Sequence, residues 1–479
     1  MRYPYIKLIN PEQAARMRDA AVSVLLRHGY QIKNEKILRL LEEKGLQVDY
    51  SKSHVSFTEP IIEKLEECAK KTGGNKSKAE YMRRPIPEGY SFGRNMVQYV
   101  DYRTNIRRQA LRSDNIEFIK AAEGIKDIIE VAPIFTACDQ PPRIEVIVGI
   151  ADAIMFSGKD MGGWEMLMGC QLPYIEELLT IKKGKQERIT GSFASMSRFT
   201  LDETTAGCLV AVAERNGLLY WGTNSCIFPG VNGPMSLAGA AVMAMAEMIG
   251  GWVCGYALNE EVTLGCIPVS GTLDMRSTRM LYSTPGAVMQ DALLAQVFDM
   301  LYQINTVPEC SATYVDSKYP GIRALSDKTY KHLALFAYTG CSLGGHFGML
   351  EGGSSISPAQ IMLDLDLNRR LERLAVGIDE GPLDFQLNDL LELGPHGDYM
   401  TTDHTLENFR EYLFADPYMD YFSGAGNDIS NDIMRDMGNV DTAQNDYDRA
   451  LMQYKGIELP REKEAAVESA LDSARRNLL

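Results

Sequence analysis

From about Ile128 onward the chain alternates short runs rich in β-forming residues with helical segments, and this rhythm restricts the fold more than any other feature. Candidate strands fall at Glu130 to Thr136, Asp160 to Glu165, Arg188 to Ala194, Leu218 to Asn224, Glu261 to Pro268, Thr306 to Ala312, Thr339 to Gly345 and, weakly marked, Gly381 to Phe385. Helical segments follow nearly every one. Parallel strands need long crossover connections, and a helix supplies one. Eight strand-helix units in about 290 residues have the size of a (β/α)8 TIM barrel, with a doubly wound sheet as the alternative. The expected fold class is therefore α/β: a TIM barrel over residues 126–415, an N-terminal mainly helical cap over 1–125 and a C-terminal helical extension over 416–479.

The flanking segments carry helix signals of their own. Asn10 is placed to cap, Pro11 to open and Gly29 to close a helix whose apolar positions Met17, Ala21, Val24 and Leu25 follow helical spacing. A second helix is predicted from Asn34 to Lys44, a short strand at Val55 to Phe57, another helix opening at Pro60, and Ser113 as the cap of a later one. The Asn/Asp-rich stretch 424–447 reads as loop, and a terminal helix from about Pro460 reads as docking on a partner or on the barrel exterior. Met235 to Leu258 is apolar and of bilayer-spanning length, but Glu247 stands in its middle and no Lys or Arg flanks it. A buried helix, not a membrane span, is expected there. A net charge of −15 argues against a nucleic-acid partner. Nine cysteines without a C-x-x-C pair and a start, MRYPYIKLINPEQ, lacking an apolar signal core point to reduced thiols in the cytoplasm.

A barrel's chemistry sits just after the strands. Those positions hold Trp164 and Met166, Phe193, Ser195 and Ser197, Thr223, Asn224 and Ser225, Asp274 and Arg276, Tyr314, Asp316 and Lys318, then His346, Phe347 and Glu351. The last three belong to CSLGGHFGMLEGGSSISPAQ (341–360), in which Ser357, Pro358 and Gln360 read as N-cap, first helical residue and capping box. His346 and Glu351 thereby fall in a strand-to-helix loop. Six histidines form no H-E-x-x-H or tight pair, and no G-x-S-x-G follows a strand, so neither a metal site nor a serine hydrolase is indicated. Phosphate recognition by the glycine-rich loop 344–355 stays open. Aromatic, sulfur and amide side chains dominate the strand ends: Trp164, Met166, Phe193, Trp221, Asn224, Tyr314 and Phe347. Such walls suit a bulky, diffuse positive charge, which each desolvated ring face attracts by about 0.5–2 kcal/mol. Trp221, before its strand's end, is assigned to packing.

Four ordered blocks carry a resemblance: NGPMSLAGAAVMAMAE (232–247), LGCIPVSGTLDMRST (264–278), LEGGSSISPAQIMLD (350–364) and GPHGDYMTTDHTLENFREYLF (394–414). They resemble the trimethylamine methyltransferase (MttB-type) superfamily. The resemblance implies a (β/α)8 barrel that hands a methyl group from a methylamine to the Co(I) of a separate corrinoid protein. The trimethylamine enzyme carries pyrrolysine in its barrel, whereas every position here is a standard residue and the region after the sixth strand reads CSATYVDSKYPG. The chain is thus similar to the non-pyrrolysine branch, which demethylates quaternary amines such as glycine betaine, proline betaine and carnitine. On that resemblance Trp164, Phe193, Tyr314 and Phe347 would line the substrate site, with Trp164, Phe193 and Phe347 cradling the cation. His346 and Asn224 would hold a carboxylate or hydroxyl, Arg276 would counter the carboxylate or pair with Asp274, and Glu351 would orient His346 or line the corrin mouth. No protein nucleophile and no metal are expected. The corrinoid (cobalamin) would arrive on its cognate carrier protein, with no cofactor bound tightly by this chain, and a homo-oligomer is expected. A non-catalytic betaine-binding scaffold or sensor, and a barrel lyase or isomerase acting on a carboxylated or phosphorylated metabolite, are the competing readings.

Overall fold

The structure, a computed structural model, describes residues 5–72, 96–196, 198–304, 306, 314–340, 347–376, 386–412 and 430–479. The N-terminal part runs α1 (Pro11–His28), β1 (Tyr30–Ile32), α2 (Glu35–Glu43), β2 (Gln47–Asp49), β3 (His54–Ser56), α3 (Glu59–Thr72), β4 (Gln98–Asp101), β5 (Ile106–Gln109) and α4 (Arg112–Gly124). The middle runs β6 (Glu130–Val131), α5 (Glu145–Phe156), β7 (Asp160–Met161), α6 (Leu172–Lys183), β8 (Gly191–Met196), β9 (Thr200–Leu201), α7 (Glu203–Asn216), β10 (Tyr220–Ser225), α8 (Leu237–Leu258), β11 (Thr263–Pro268), β12 (Thr272–Asp274), β13 (Arg279–Leu281) and α9 (Pro285–Tyr302). The remainder runs α10 (Ile322–Thr339), β14 (Met349–Leu350), β15 (Ser355–Ile356), α11 (Pro358–Val376), α12 (Leu387–Leu393), α13 (Asp403–Tyr412), α14 (Ser430–Met452) and α15 (Arg461–Leu478).

Local sequence explains the first helices. Asn10 and Gln13 exchange bonds of 2.8 and 3.0 Å in a capping box, and Pro11 occupies the first turn, where its missing N–H costs nothing. Asn34 caps α2 through a 3.1 Å bond to the Ile37 amide. Around them, β1 pairs antiparallel with β3 and parallel with β9.

The helix α8 is the centre of the main core. Trp252, Val253, Met245 and Ile249 are fully buried, as is Glu247. Its glycines let neighbours approach closely: a Cβ at Gly250 would meet Leu25 and Tyr30 at 2.7 Å, and one at Gly255 would meet Trp221 at 2.6 Å. The apolar stretch is therefore wrapped by α1 and β10, as its buried glutamate requires.

Against α8 lies a parallel sheet ordered β11–β10–β8, with Thr223 aligned to Cys266 and Ala194. Side chains alternate across it. Trp221 donates to the Gly251 carbonyl (2.8 Å), Thr223 to that of Met248 (3.2 Å) and Ser225 to the Glu247 carboxylate (2.5 Å), so these three face the helix. Strand periodicity then turns Tyr220, Gly222 and Asn224 to the opposite face. Packing, as expected, is the role of Trp221.

The mixed α/β class is what the sequence rhythm predicts, but among the described residues the strands form several small sheets and no closed barrel. The run 130–136 pairs as a strand only at Glu130–Val131, with Asp160–Met161 as parallel partner. Beyond it the backbone bonds to the Asn115 side chain, which takes the Ile134 and Phe135 amides at 3.0 and 2.9 Å, and to Met96. An asparagine side chain and a bridge have replaced the ladder. The strand expected from Asp160 to Glu165 stops at Met161, whereas those near 191 and 220 run to Met196 and Ser225. The runs expected at Thr306 to Ala312 and Gly381 to Phe385 lie outside the described residues, apart from Thr306, as does most of that at Thr339 to Gly345; Thr339 itself ends α10.

Other departures have visible causes. Ser113 lies inside the first turn of α4, because the Asp114 carboxylate takes the Leu111 amide at 2.7 Å. Part of the Asn/Asp-rich stretch read as loop is the long helix α14. Ala443, Tyr447 and Ala450 are buried there against α4 and α11, and tertiary burial overrides poor intrinsic propensity. Finally, α15 inserts Val467, Ala470, Leu471, Ala474 and Leu478 against Ile147, Ile150 and Leu178 of α5 and α6.

Candidate functional site

One candidate surface is the sheet face turned away from α8. Phe193 of β8 is 47% exposed there, its ring 5.1 Å from that of Tyr220 on β10. Both rings lie over backbone: a Cβ at Gly222 would meet Phe193 Cδ1 at 2.5 Å, and one at Gly265 would collide with the Tyr220 hydroxyl. Asn224 follows on the same face. Its Oδ1 is buried and finds no hydrogen-bond donor among the described residues. A buried acceptor left unmatched costs roughly 1–3 kcal/mol, so a donor from outside the described residues, from water or from a bound molecule would stabilise it.

A separate cluster is an arc of rings with charges beside it. Phe228, just beyond β10, lies 5.9 Å edge-on from Tyr282, which lies 5.3 Å edge-on from Tyr314. The Gly352–Gly353 pair makes room for them. A Cβ at Gly352 would meet Tyr282 Cε2 at 2.7 Å and one at Gly353 would meet Tyr314 Cε1 at 2.8 Å, and both residues hold the left-handed backbone (φ +65° and +81°) that glycine tolerates best.

Glu351 precedes this pair and also has positive φ, at 52°. Its carboxylate, 12% exposed, gathers groups from three other segments: Arg107 of β5, Arg279 of β13 at 3.3 Å and Lys318 at 3.8 Å, besides the nearby Ser355 hydroxyl at 3.1 Å. Burial raises its pKa, but the bonds from Arg107 and Ser355 and the charges of Arg107 and Lys318 outweigh that and hold the carboxyl below its usual range. A residue in a sparsely populated backbone region, kept there by ties to distant segments, is the kind of outlier that marks functional sites.

A buried network holds these loops. The Glu351 and Gly352 amides donate to the Ser317 and Val315 carbonyls at 2.8 and 2.7 Å, and Asp316 takes the Tyr282 and Ser283 amides at 2.8 and 3.0 Å. Lys331 of α10, fully buried, donates to the Tyr314 carbonyl. Burial pushes its pKa down to about 8, against the pull of Asp291, Asp316 and Asp327. Next to it Lys328 pairs with Asp364, whose carboxylate also takes the Gly348 amide at 2.7 Å. His332 is pushed down to about 3 by burial and by the charges of Lys328 and Lys331. The helix α11 does begin at Pro358, but the expected capping box is not formed. Ser357 Oγ has no partner among the described residues, and Gln360 bonds Asp364 at 2.7 Å and the Gly321 amide at 3.0 Å.

Of the residues singled out from sequence, Phe193 and Asn224 share the open sheet face, and Tyr314 and Glu351 share the ring-and-charge cluster. Phe347 is buried in a core with Met96, Phe135 and Ile356. Trp164 is half-buried against the α5–α6 core. Arg276 stands 94% exposed between β12 and β13, 3.5 Å from Asp274, so solvent already takes its charge and it lines no enclosed surface. His346 and Ser197 lie outside the described residues. Sequence reading missed Tyr220, Tyr282, Arg107 and Arg279. The paired glycines at 352–353 were the available signal, since left-handed backbone beneath close neighbours implies rings lying on it. Among the described residues no group of three His, Cys, Asp or Glu could hold a metal ion.

Comparison with known proteins identifies the family of the chain. The trimethylamine methyltransferase MttB of Desulfitobacterium hafniense (strain DSM 10664 / DCB-2) is 21% identical over 418 residues, covering 83% of this chain and 81% of that protein. The family described as "Trimethylamine methyltransferase (MTTB)" matches residues 1–476. The chain belongs to this methyltransferase family.

Proposed function

We propose that this chain moves a methyl group from a quaternary amine of the betaine type, such as glycine betaine, proline betaine or carnitine, to the Co(I) of a cognate corrinoid protein. The observation that carries the reading is the open sheet face on which Phe193 and Tyr220 stand 5.1 Å apart beside the unmatched Asn224 acceptor. Rings over bare backbone offer π-faces to a diffuse cation. The scaffold in this reading is a (β/α)8 barrel to which β8, β10 and β11 contribute, with residues 1–125 as cap and 416–479 as extension.

The chemistry asks little of the protein as an acid, base or nucleophile. A quaternary nitrogen is already a leaving group: the methyl carbon bonds to cobalt as its bond to nitrogen breaks, the nitrogen keeps the electron pair, and Co(I) becomes methyl-Co(III). Orientation and exclusion of water are then the protein's contribution. The aromatic faces would hold the ammonium, and the Asn224 acceptor would take a donor where the substrate has one, such as the hydroxyl of carnitine. Trimethylamine, named in the relative, is set aside because every position of this chain is a standard residue, whereas the resemblance ties trimethylamine to pyrrolysine.

The test mixes purified protein with Co(I) cobalamin, or the corrinoid protein, and glycine betaine, proline betaine, carnitine, γ-butyrobetaine or trimethylamine, following methyl-Co(III) by absorbance. Turnover of a quaternary amine and not of trimethylamine is expected. Turnover of trimethylamine alone overturns the substrate assignment, and betaine binding with no methylation of cobalt favours the scaffold reading.

A further inference from the structure

The expectation that Arg276 meets a substrate carboxylate leaves the hairpin tip with an arginine that solvent already satisfies. The strongest concentration of positive charge at the ring arc lies elsewhere. Arg107, Arg279 and Lys318 all reach the Glu351 carboxylate. Glu351 is the carboxylate that all three cations reach, with Asp274 opposite Arg279 in the hairpin and Asp316 two residues before Lys318 as the other acids nearby, so three cations converge where a single carboxylate is shared, on a chain whose net charge is −15. The cation heads remain partly open, with side-chain exposures of 41, 43 and 52% against 12% for the glutamate beneath them. Three segments far apart in sequence, β5, β13 and the stretch around Lys318, have been drawn to one point, and local helix or strand formation explains none of those convergences.

Directly beside it the backbone of Gly352 and Gly353 carries the Tyr282 and Tyr314 rings. Rings next to these cations, within two residues of chain, form a surface with an apolar wall and an anion-seeking edge. Partly exposed like charges held close repel one another, and a second carboxylate or other small anion placed over them relieves that repulsion. Guanidinium groups favour carboxylates because their paired N–H donors match the two oxygens.

We infer that Arg279 and Lys318, with Arg107, form the subsite that recognises the carboxylate of the substrate, the Glu351 carboxylate serving as the fixed counter-ion that holds the three cations together. The inference rests on the quaternary-amine reading above and deepens it, because it makes the substrate a zwitterion and names the residues that select it over an amine lacking an acid group. Glu351 is a positioning residue in this assignment.

The experiment is titration calorimetry on the full chain with two classes of probe: glycine betaine and carnitine, which carry a carboxylate, and choline and tetramethylammonium, which do not. Arg279→Gln and Lys318→Gln are expected to weaken the carboxylate-bearing probes about tenfold or more, and the carboxylate-free probes less than about twofold. Arg279→Lys keeps the charge and is expected to restore part of the loss. Equal weakening of both classes assigns these residues a structural role and overturns the subsite. So does unchanged binding of both, or failure of every carboxylate-bearing probe to bind the unmodified protein. An effect confined to the KM for the corrinoid protein would make the cluster a docking rim instead, and also overturns it. Should the variants not fold, acetate decides: with the unmodified protein acetate is expected to weaken the apparent affinity for glycine betaine and to leave that for tetramethylammonium unchanged, and no competition with glycine betaine overturns the inference. Because binding is the readout, carboxylate-selective affinity without methyl transfer would remove the proposed reaction and leave the subsite standing. Betaine turnover indifferent to the three cations would do the reverse.

Discussion

Trp221 and Asn224 are three residues apart on β10 and point to opposite sides of it, so their replacement separates packing from chemistry. Trp221 is fully buried between sheet and α8, and Trp221→Ala is expected to cost about 3–5 kcal/mol of stability, read by chemical denaturation. Asn224→Ala removes an acceptor without an internal donor among the described residues. It should leave the denaturation midpoint nearly unchanged and reduce kcat/KM for a substrate with a donor, such as carnitine, about tenfold, a loss of order 1–2 kcal/mol in transition-state binding. A comparable loss of stability in both variants would place Asn224 in the fold rather than the site. Both faces were legible in the sequence, because strand alternation separates 221 from 224 once the strand is recognised. Tyr282 and Arg279 were not, since nothing local in the hairpin around them announces a partner more than thirty residues away.

The helix α10 carries charge on the face it buries, where an apolar stripe is the usual pattern. Lys328 and Asp364 form an ion pair almost without solvent contact. Lys328→Met alone leaves Asp364 buried and uncompensated and is expected to destabilise by about 3–5 kcal/mol, while Lys328→Met with Asp364→Leu should recover much of that, as denaturation of the two variants can check. His332 predicts a pH dependence. Its folded pKa of about 3 lies below the ordinary 6.5, so the unfolded chain binds a proton that the native state refuses. The His332 contribution to stability is therefore full above about pH 6.5 and is lost progressively as pH falls towards 3. His332→Leu should flatten the decline of the denaturation midpoint between pH 7 and pH 4; an unaltered slope would assign the acid sensitivity elsewhere. A cap that uses the nearest side chains, such as that of Asn10, was readable one residue at a time. The start of α11 was readable but its capping was not, because Gln360 is drawn away by Asp364 and Gly321, which come near only in the folded chain.

In the whole molecule, the C-terminal helix α15 closes the outer surface of α5 and α6. Deleting residues 460–479 would uncover Ile147, Ile150 and Leu178, and the expected outcome is a lower Tm with increased binding of an apolar-surface dye; an unchanged Tm would mean that α15 contributes no net stability. Alternation of strand and helix gave the mixed architecture its outline because it depends on periodicity, which is local. The lengths and partners of the strands were beyond it, as the Asn115 side chain standing in for a strand at 134–135 illustrates. The Glu351 cluster has a mechanical side as well. A single carboxylate fastens β5, β13 and the Lys318 segment, so these three walls share one point of attachment and cannot be adjusted independently. A substitution meant to widen one of them will slacken the other two, and reshaping this rim for a different substrate means redesigning all three segments at once.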